Sequence, residues 1–357
     1  MTSSNSDPVT LEEVQWRKVF PLLNLFHAAR MSYRLRVLIP AFMAVCCFQS
    51  GVEFLGEADT ARLPKSLDSG LVPSEPLKLL FNGSSIVQTL AGFVWGGLSG
   101  ERALDAPSVA GFGLGLVLLS FFGVAISRSM ATEFCRSTRT GPVAAVRCSI
   151  RHWNEQIVLL ITMTVVAGLV VAPLLVLKLV GSSGWLASAG IFWVPLNLLV
   201  VFTLLACLVI FVGGLISIPA IGTDSCSGTD AFSRGVNYFL SHKTRTVSCL
   251  IIVSLLSQFC FMATRILFHV SGGIIQNCLP VSSSSAATAD ASVAAFSGPA
   301  MSMSEWIIAR IPEAVQLSVF LCGLTITYVL LRLTEDAVRI SEIDGAVITR
   351  SRRNSAP

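Results

Sequence analysis

A long run of the chain, from Leu179 to Thr223, carries no charged side chain. An α-helix needs roughly 17 to 25 apolar residues to cross a bilayer, and other apolar runs accompany this one. Only 13% of the residues are charged, about half the ~25% of a soluble domain, so a water-soluble protein of this size could not cover its surface. The sequence therefore predicts an all-α integral membrane protein, with the lipid bilayer as its first partner and no nucleic acid.

The apolar runs predict six transmembrane helices, with a short turn at 181–184 before the fourth. The spans are residues 37–55, 109–126, 157–177, 191–216, 247–268 and 314–331. They divide the chain into an N-terminal tail with an amphipathic helix, a membrane domain and a C-terminal tail, which are residues 1–36, 37–332 and 333–357.

Two segments between the spans need separate interpretation. Residues 86–98 are apolar but too short to span, and we predict a re-entrant or interfacial helix in the first outer loop. A seventh span there would break the charge bias between the two faces. The loop at about 270–313 is rich in Ser and Ala from Ser282 to Ala300, a composition that predicts a flexible loop.

The basic residues are distributed unevenly between the two faces that six spans create. Eighteen of the 25 Lys and Arg residues lie in the two tails and in the 127–156 and 220–246 loops, against five in the opposite segments. Positive charge favours the cytoplasmic side. We therefore expect both termini in the cytoplasm, at the cell inner (cytoplasmic) membrane, with the first span acting as an uncleaved signal anchor.

Each odd-numbered span follows a short amphipathic stretch with two bulky apolar residues seven positions apart. The pairs are Phe26 and Tyr33, Val146 and Trp153, and Phe232 and Phe239. This spacing suggests a threefold repeat of an interfacial helix plus a helical hairpin, since internal repeats are common in membrane folds. The alternative is that any basic segment beside a membrane looks amphipathic.

Three short motifs carry a resemblance to a known group. They are the loop from Gly222 to Tyr238, with Asp224, Asp230, Phe232, Arg234 and Tyr238; the exit of the second span, from Phe121 to Arg128; and the exit of the sixth span, from Tyr328 to Arg332. The chain resembles a loose group of bacterial six-helix membrane proteins, which includes the membrane domain attached to some glycerophosphodiester phosphodiesterases. The resemblance implies the six-helix architecture and adds almost nothing about chemistry.

The familiar catalytic and cofactor motifs are missing from the sequence. His27, His152 and His242 lie in the amphipathic stretches and His269 lies at an outer helix end, which is typical of interfacial histidines, so we expect no metal and no cofactor. Gly111 and Gly115 lie one turn apart inside the second span, where we predict a close helix contact.

Two sets of charged residues remain as candidate sites. Glu53, Lys178 and Arg265 all fall near the outer boundary when counted at ~1.5 Å per residue; they form either an ion-paired outer cluster or, as we favour, separate side chains that reach the interface. Asp224 and Asp230 form either a cation or acid–base pair or, as we favour, a helix N-cap at Asp230. In the fourth and fifth spans, Asn197 and Gln258 are expected to bond neighbouring helices.

Without a constellation of polar residues at mid-membrane, the sequence favours a non-catalytic membrane component. We expect it to organise membrane-protein partners or lipids through its cytoplasmic amphipathic helices. Repeated hairpins and the interruptions at Pro173, Pro195, Gly213 and Gly214 leave a second reading open, a transporter or lipid-handling permease. A polar cavity between spans one, three and five would favour that second reading.

Overall fold

The computed structural model describes residues 24–54, 86, 106–136, 141–181, 193–278 and 291–335. These residues contain helices and no strand, which confirms the all-α prediction. The helices within these ranges are α1 (Asn24–Ser32), α2 (Leu35–Phe54), α3 (Ala106–Arg136), α4 (Pro142–Arg151), α5 (Trp153–Gly181), α6 (Trp193–Asp224), α7 (Gly228–Ser241), α8 (Lys243–Cys278) and α9 (Ala291–Glu335).

Six of these helices are long and apolar enough to cross a membrane, namely α2, α3, α5, α6, α8 and α9. The chain is therefore a multi-pass α-helical membrane protein. Several helices continue beyond the apolar runs, α3 to Arg136 and α6 to Asp224. Backbone hydrogen bonds hold a helix together whatever the polarity of its side chains, so an apolar run marks the lipid-buried part of a helix better than its ends.

The helices follow the predicted order of one short and two long helices, three times over. Each short helix ends within two residues of the long helix that follows it; the breaks are at Tyr33 and Arg34, at His152 and at His242. The two long helices of each unit, α2 with α3, α5 with α6 and α8 with α9, contact each other.

Helix α9 is the centre of the bundle and α5 is at its periphery. Of the apolar stretch of α9, 94% is buried, against 6% for α5, and α9 contacts α1, α2, α3, α6, α7 and α8. The reason lies in the side chains, because α9 carries buried Gln316, Ser318, Thr325 and Thr327. Polar groups in a membrane helix turn away from lipid, whereas α5 can expose its apolar residues without cost.

The segment between the fifth and sixth helices differs from the prediction. The flexible loop expected from Ser282 to Ala300 is wrong for residues 291–300, which form the beginning of α9. Alanine has the highest helix propensity, and this part of the segment is rich in it. Residues 86–98, apart from Ile86, lie outside the described residues, as do residues 1–23 and 336–357.

At Gly111 no described atom lies within 4 Å of the position that a Cβ would take, so the predicted close contact is not found among the described residues. The contact predicted at Gly115 stays a prediction. A close approach of a short helix to a spanning helix occurs between α7 and α6. A Cβ on Gly235 would lie 2.3 Å from the carbonyl oxygen of Gly213, so the two backbones come together where neither residue has a side chain.

Candidate functional site: a buried charged cluster at the ends of α6 and α9

Three polar side chains from two other helices meet around the carboxylate of Asp224, which is only 6% exposed. The Tyr328 hydroxyl donates to Oδ2 at 2.5 Å, Arg332 Nη1 donates to Oδ1, and Arg234 Nη1 lies 3.4 Å from Oδ2. We call these residues the Asp224 cluster. It joins the C-terminal residue of α6 to α7 and to the last turns of α9.

The position of Asp224 explains why it needs two arginines. A carboxylate at the C-terminal end of a helix meets the negative end of the helix dipole, whereas an arginine near such an end is favoured. Arg332 is nearly buried, at 14% exposed, while Arg234 is 43% exposed. The cluster therefore contains one buried ion pair, between Asp224 and Arg332, and one partly exposed arginine, Arg234.

The local sequence turns the chain so that α7 can reach the cluster. After Asp224, Ser225 adopts a left-handed backbone with φ 53°, and its N–H donates to the Ile221 carbonyl at 3.0 Å, closing the end of α6. Ser227 then caps α7 by accepting from the Asp230 N–H at 3.2 Å. The chain therefore reverses within three residues and α7 runs back along α6.

Tyr238 completes the apolar side of the cluster. Its ring centroid lies 5.9 Å from that of Tyr328, and both side chains are buried. The tilted pair lies between α7 and α9 and holds the Tyr328 hydroxyl towards Asp224. The carboxylate accepts from residues of its own chain on both oxygens, an arrangement suited to holding helices together.

The structure brings together three of the five residues singled out in the 222–238 loop. Asp224, Arg234 and Tyr238 belong to the cluster, whereas Phe232 packs in the hydrophobic core and Asp230 is exposed. The expected N-cap at Asp230 is wrong, because the cap is Ser227 and Asp230 lies in the first turn of α7. A serine three residues before an acidic residue is a known start signal, and it marks the correct position.

Further polar contacts fix the remaining short segments. Glu133, near the end of α3, pairs with Arg34 in the break before α2 and with Arg36 in its first turn. Glu155 accepts from the Gly228 N–H at 2.9 Å, so α5 holds the first residue of α7. Neither Glu133 nor Glu155 was predicted from the sequence. The signal that could have indicated these contacts was an isolated acidic residue at the end of an apolar helix.

The third unit repeats the contact of the first. His242, in the break between α7 and α8, lies 2.7 Å from Glu335 at the end of α9, as Arg34 in the break between α1 and α2 pairs with Glu133 at the end of α3. The second unit differs, because the acid at the end of α6 is Asp224 and its arginines come from the third unit.

Both interpretations of Glu53, Lys178 and Arg265, an ion-paired outer cluster or, as we favour, separate side chains that reach the interface, stay predictions. The three residues lie on α2, α5 and α8, but the side chains of Glu53 and Lys178 are outside the described part of the chain. Among the described residues, no group of three or more His, Cys, Asp and Glu side chains could hold a metal ion.

Gln258 bonds a neighbouring helix, as the sequence suggested. Its Oε1 accepts from Gln316 Nε2 at 2.9 Å, and both amides are buried between α8 and α9. We expect Gln316→Leu to reduce the free energy of unfolding by about 1 kcal/mol, because the buried Oε1 of Gln258 loses the hydrogen bond that Gln316 donates. Unfolding in mixed micelles with increasing SDS measures this. The double variant Q258L/Q316L should recover most of the loss, and a double variant worse than either single one would contradict the assignment.

Cys226 lies in the turn between α6 and α7, and the reactivity of its thiol is a measure of burial beside the Asp224 cluster. Burial, together with the negative charge of Asp224, raises its pKa to about 11. Only thiolate is alkylated, so at pH 8 we expect it to react with a maleimide about a hundredfold more slowly than an ordinary thiol. Peptide-resolved mass spectrometry with a cysteine peptide as reference measures the rate. Removal of the Asp224 charge in Asp224→Asn should speed the reaction, and a wild-type rate equal to that of the reference would refute the burial.

No protein-family model, curated protein or solved structure matches the chain. The resemblance to the bacterial six-helix group therefore stays a prediction. The membrane assignment depends on the six helices themselves.

Proposed function

We propose that this protein is a non-catalytic component of the cell inner (cytoplasmic) membrane. In this proposal its short helices organise membrane-protein partners or lipids at the cytoplasmic surface, and both tails lie on that side. The bundle is then a platform, and the exposed faces of α1, α4 and α7 are its working surface.

The observation that carries the proposal is the way the short helices are attached. Each has one face buried against the bundle and another exposed, and specific polar contacts hold the surrounding segments. These are Glu133 with Arg34 and Arg36 beside α1, Ser149 with the Phe121 carbonyl beneath α4, and Glu155 and the Asp224 cluster around α7. Helices that are attached by specific contacts and keep one face exposed are suited to binding a partner protein or lipid through that face.

The centre of the bundle supports the platform over the permease. The hydroxyls of Ser318, Thr325 and Thr327 donate to carbonyls of their own helix at 2.8 to 2.9 Å, so these groups need no water-filled path. Helix α9 packs between spans one and five and contacts both, whereas span three lies at the periphery of the bundle. A substrate pathway would need polar groups that turn towards a cavity.

Photocrosslinking from the short helices tests the proposal. A photoreactive amino acid replaces an exposed residue of each short helix, Phe26, Val143 or Leu240, or the lipid-facing Leu169 of α5 as the control. We expect the short-helix positions to yield discrete protein or headgroup adducts in native membranes that Leu169 does not. The same adducts at all four positions, or substrate-dependent flux in proteoliposomes with no adducts, would contradict the platform.

A further inference from the structure

The outward face of α4 combines apolar and positively charged side chains. Val143, Arg147, Ile150 and Arg151 are exposed, and their spacing places them on one side of the helix. Val143 is 71% exposed and Ile150 is 60% exposed, so large apolar groups lie beside the two guanidinium groups. Trp153 continues the same surface at the start of α5.

The opposite face fixes how α4 is turned. Ser149 Oγ donates to the Phe121 carbonyl of α3 at 2.6 Å, and Gln156 Nε2 donates to the carbonyl and hydroxyl of Ser149 at 3.0 Å. The rings of Phe121 and Trp153 meet edge to face at 5.7 Å. With this face attached, α4 cannot roll to bury Val143 and Ile150.

The charge on the outward face is not compensated within the part of the chain that the structure describes. Arg147 and Arg151 lie one turn apart, a spacing at which like charges weaken a helix, and α4 itself contains no acidic residue. No described carboxylate lies within ion-pair distance of either arginine. The pKa of His152 is lowered by burial and by the charges of Arg151 and Arg128, a further sign of positive potential there.

We propose that the outward face of α4 is a binding surface for the phosphate headgroups of anionic phospholipids. Arg147 and Arg151 neutralise the phosphates, while Val143, Ile150 and Trp153 enter the layer between headgroups and acyl chains. An interfacial helix with basic and apolar residues binds anionic lipid in this way. The inference rests on the proposed function, since it names the lipid that one of the three short helices organises.

Helix α7 provides an internal contrast. Its outward face bears Asp230, Ser233, Arg234 and Asn237, so an acid accompanies the base and Arg234 already faces Asp224. The α7 surface therefore lacks the uncompensated pair of α4, and of these two helices we assign the preference for anionic lipid to α4.

Native mass spectrometry of the full chain in detergent tests the assignment. The protein is titrated with phosphatidylglycerol or phosphatidylcholine of the same acyl chains, and the bound lipids are counted. We expect phosphatidylglycerol to be preferred, and R147Q/R151Q to reduce that preference about thirtyfold, roughly fivefold for each arginine. R147K/R151K should retain most of it. The control K243Q/R245Q removes two positive charges from the start of α8, where they lie two residues apart and do not share a face.

Four results would overturn the inference. The first is equal binding of the two lipids by the wild type, and the second is a loss of phosphatidylglycerol preference in K243Q/R245Q equal to that in R147Q/R151Q. The third is full displacement of phosphatidylglycerol by inorganic phosphate at constant ionic strength. The fourth is an unchanged lipid preference in R147Q/R151Q together with loss of an acidic protein adduct at Val143. The last would make an acidic protein the occupant of α4. If instead R147Q/R151Q loses the lipid while adducts at Phe26 and Leu240 persist, the inference is supported. Persistence of those adducts with no lipid preference in the wild type overturns the inference alone and leaves the proposed function standing.

Discussion

Replacing Asp224 with asparagine is expected to lower the free energy of unfolding by about 3 kcal/mol. The substitution keeps the size of the side chain but leaves the nearly buried Arg332 guanidinium without its counter-charge. Loss of the ion pair of a desolvated charge is costly, and the amide also replaces one of the two acceptor oxygens that α7 and α9 share by a donor. Thermal unfolding in detergent should show a clear fall in Tm, and SDS unfolding gives the free-energy difference.

Asp230→Asn is the matched control, since it removes an equal charge from an exposed position six residues away. We expect it to cost less than about 1 kcal/mol, the usual contribution of an acid in the first turn of a helix. The double variant D224N/R332Q should be more stable than the sum of the two single losses predicts. Equal effects of D224N and D230N would show that the Asp224 cluster does not hold the bundle together.

Gly235→Ala is the second change with a large expected effect. The added Cβ would lie 2.3 Å from the Gly213 carbonyl oxygen and 2.5 Å from Ser217 Oγ. The first of these is a backbone atom inside α6, so α7 itself has to move. Overpacking of this kind costs about 1–3 kcal/mol. Movement of α7 should also reduce the burial of Cys226 in the turn before it, which is the main cause of its raised pKa, and so raise its alkylation rate.

Gly168→Ala, in α5, separates this effect from the general consequence of adding a methyl group to a helix. Gly168 is exposed, and no atom of the described residues lies within 4 Å of the position of a Cβ on it, so we expect no loss of stability. Both variants are compared by SDS unfolding and by the Cys226 alkylation rate. A G235A protein that behaves like G168A in both measurements would contradict the close approach of α7 to α6.

The apolar runs were enough to predict the six long helices, because lipid burial demands long uncharged stretches. They did not predict which helix is central. That depends on small differences in polar content, such as Gln316 and Thr325 on α9 against the apolar face of α5, and on contacts between helices far apart in the chain.

The candidate site was predicted only in part, because it too depends on contacts between helices that are far apart in the chain. The residues at 222–238 and 328–332 stood out as two separate motifs, but nothing in their spacing showed that Asp224 would meet Tyr328 and Arg332. Their meeting depends on the reversal at Ser225 and on the Gly213–Gly235 approach, which are features of packing. The prediction of a cap at Asp230 was wrong because Ser227 and Asp230 are both suitable N-cap residues. Only the backbone geometry shows which of the two precedes the helix.

The proposed topology has six spans and places both tails in the cytoplasm. Single cysteines placed at Ser3 and Ser355 of an otherwise cysteine-free chain are treated with a membrane-impermeant maleimide, in intact cells and in inverted inner-membrane vesicles. We expect both positions to be protected in cells and labelled in inverted vesicles. Labelling of one tail in cells and the other in inverted vesicles would place the tails on opposite faces and contradict the six-span bundle.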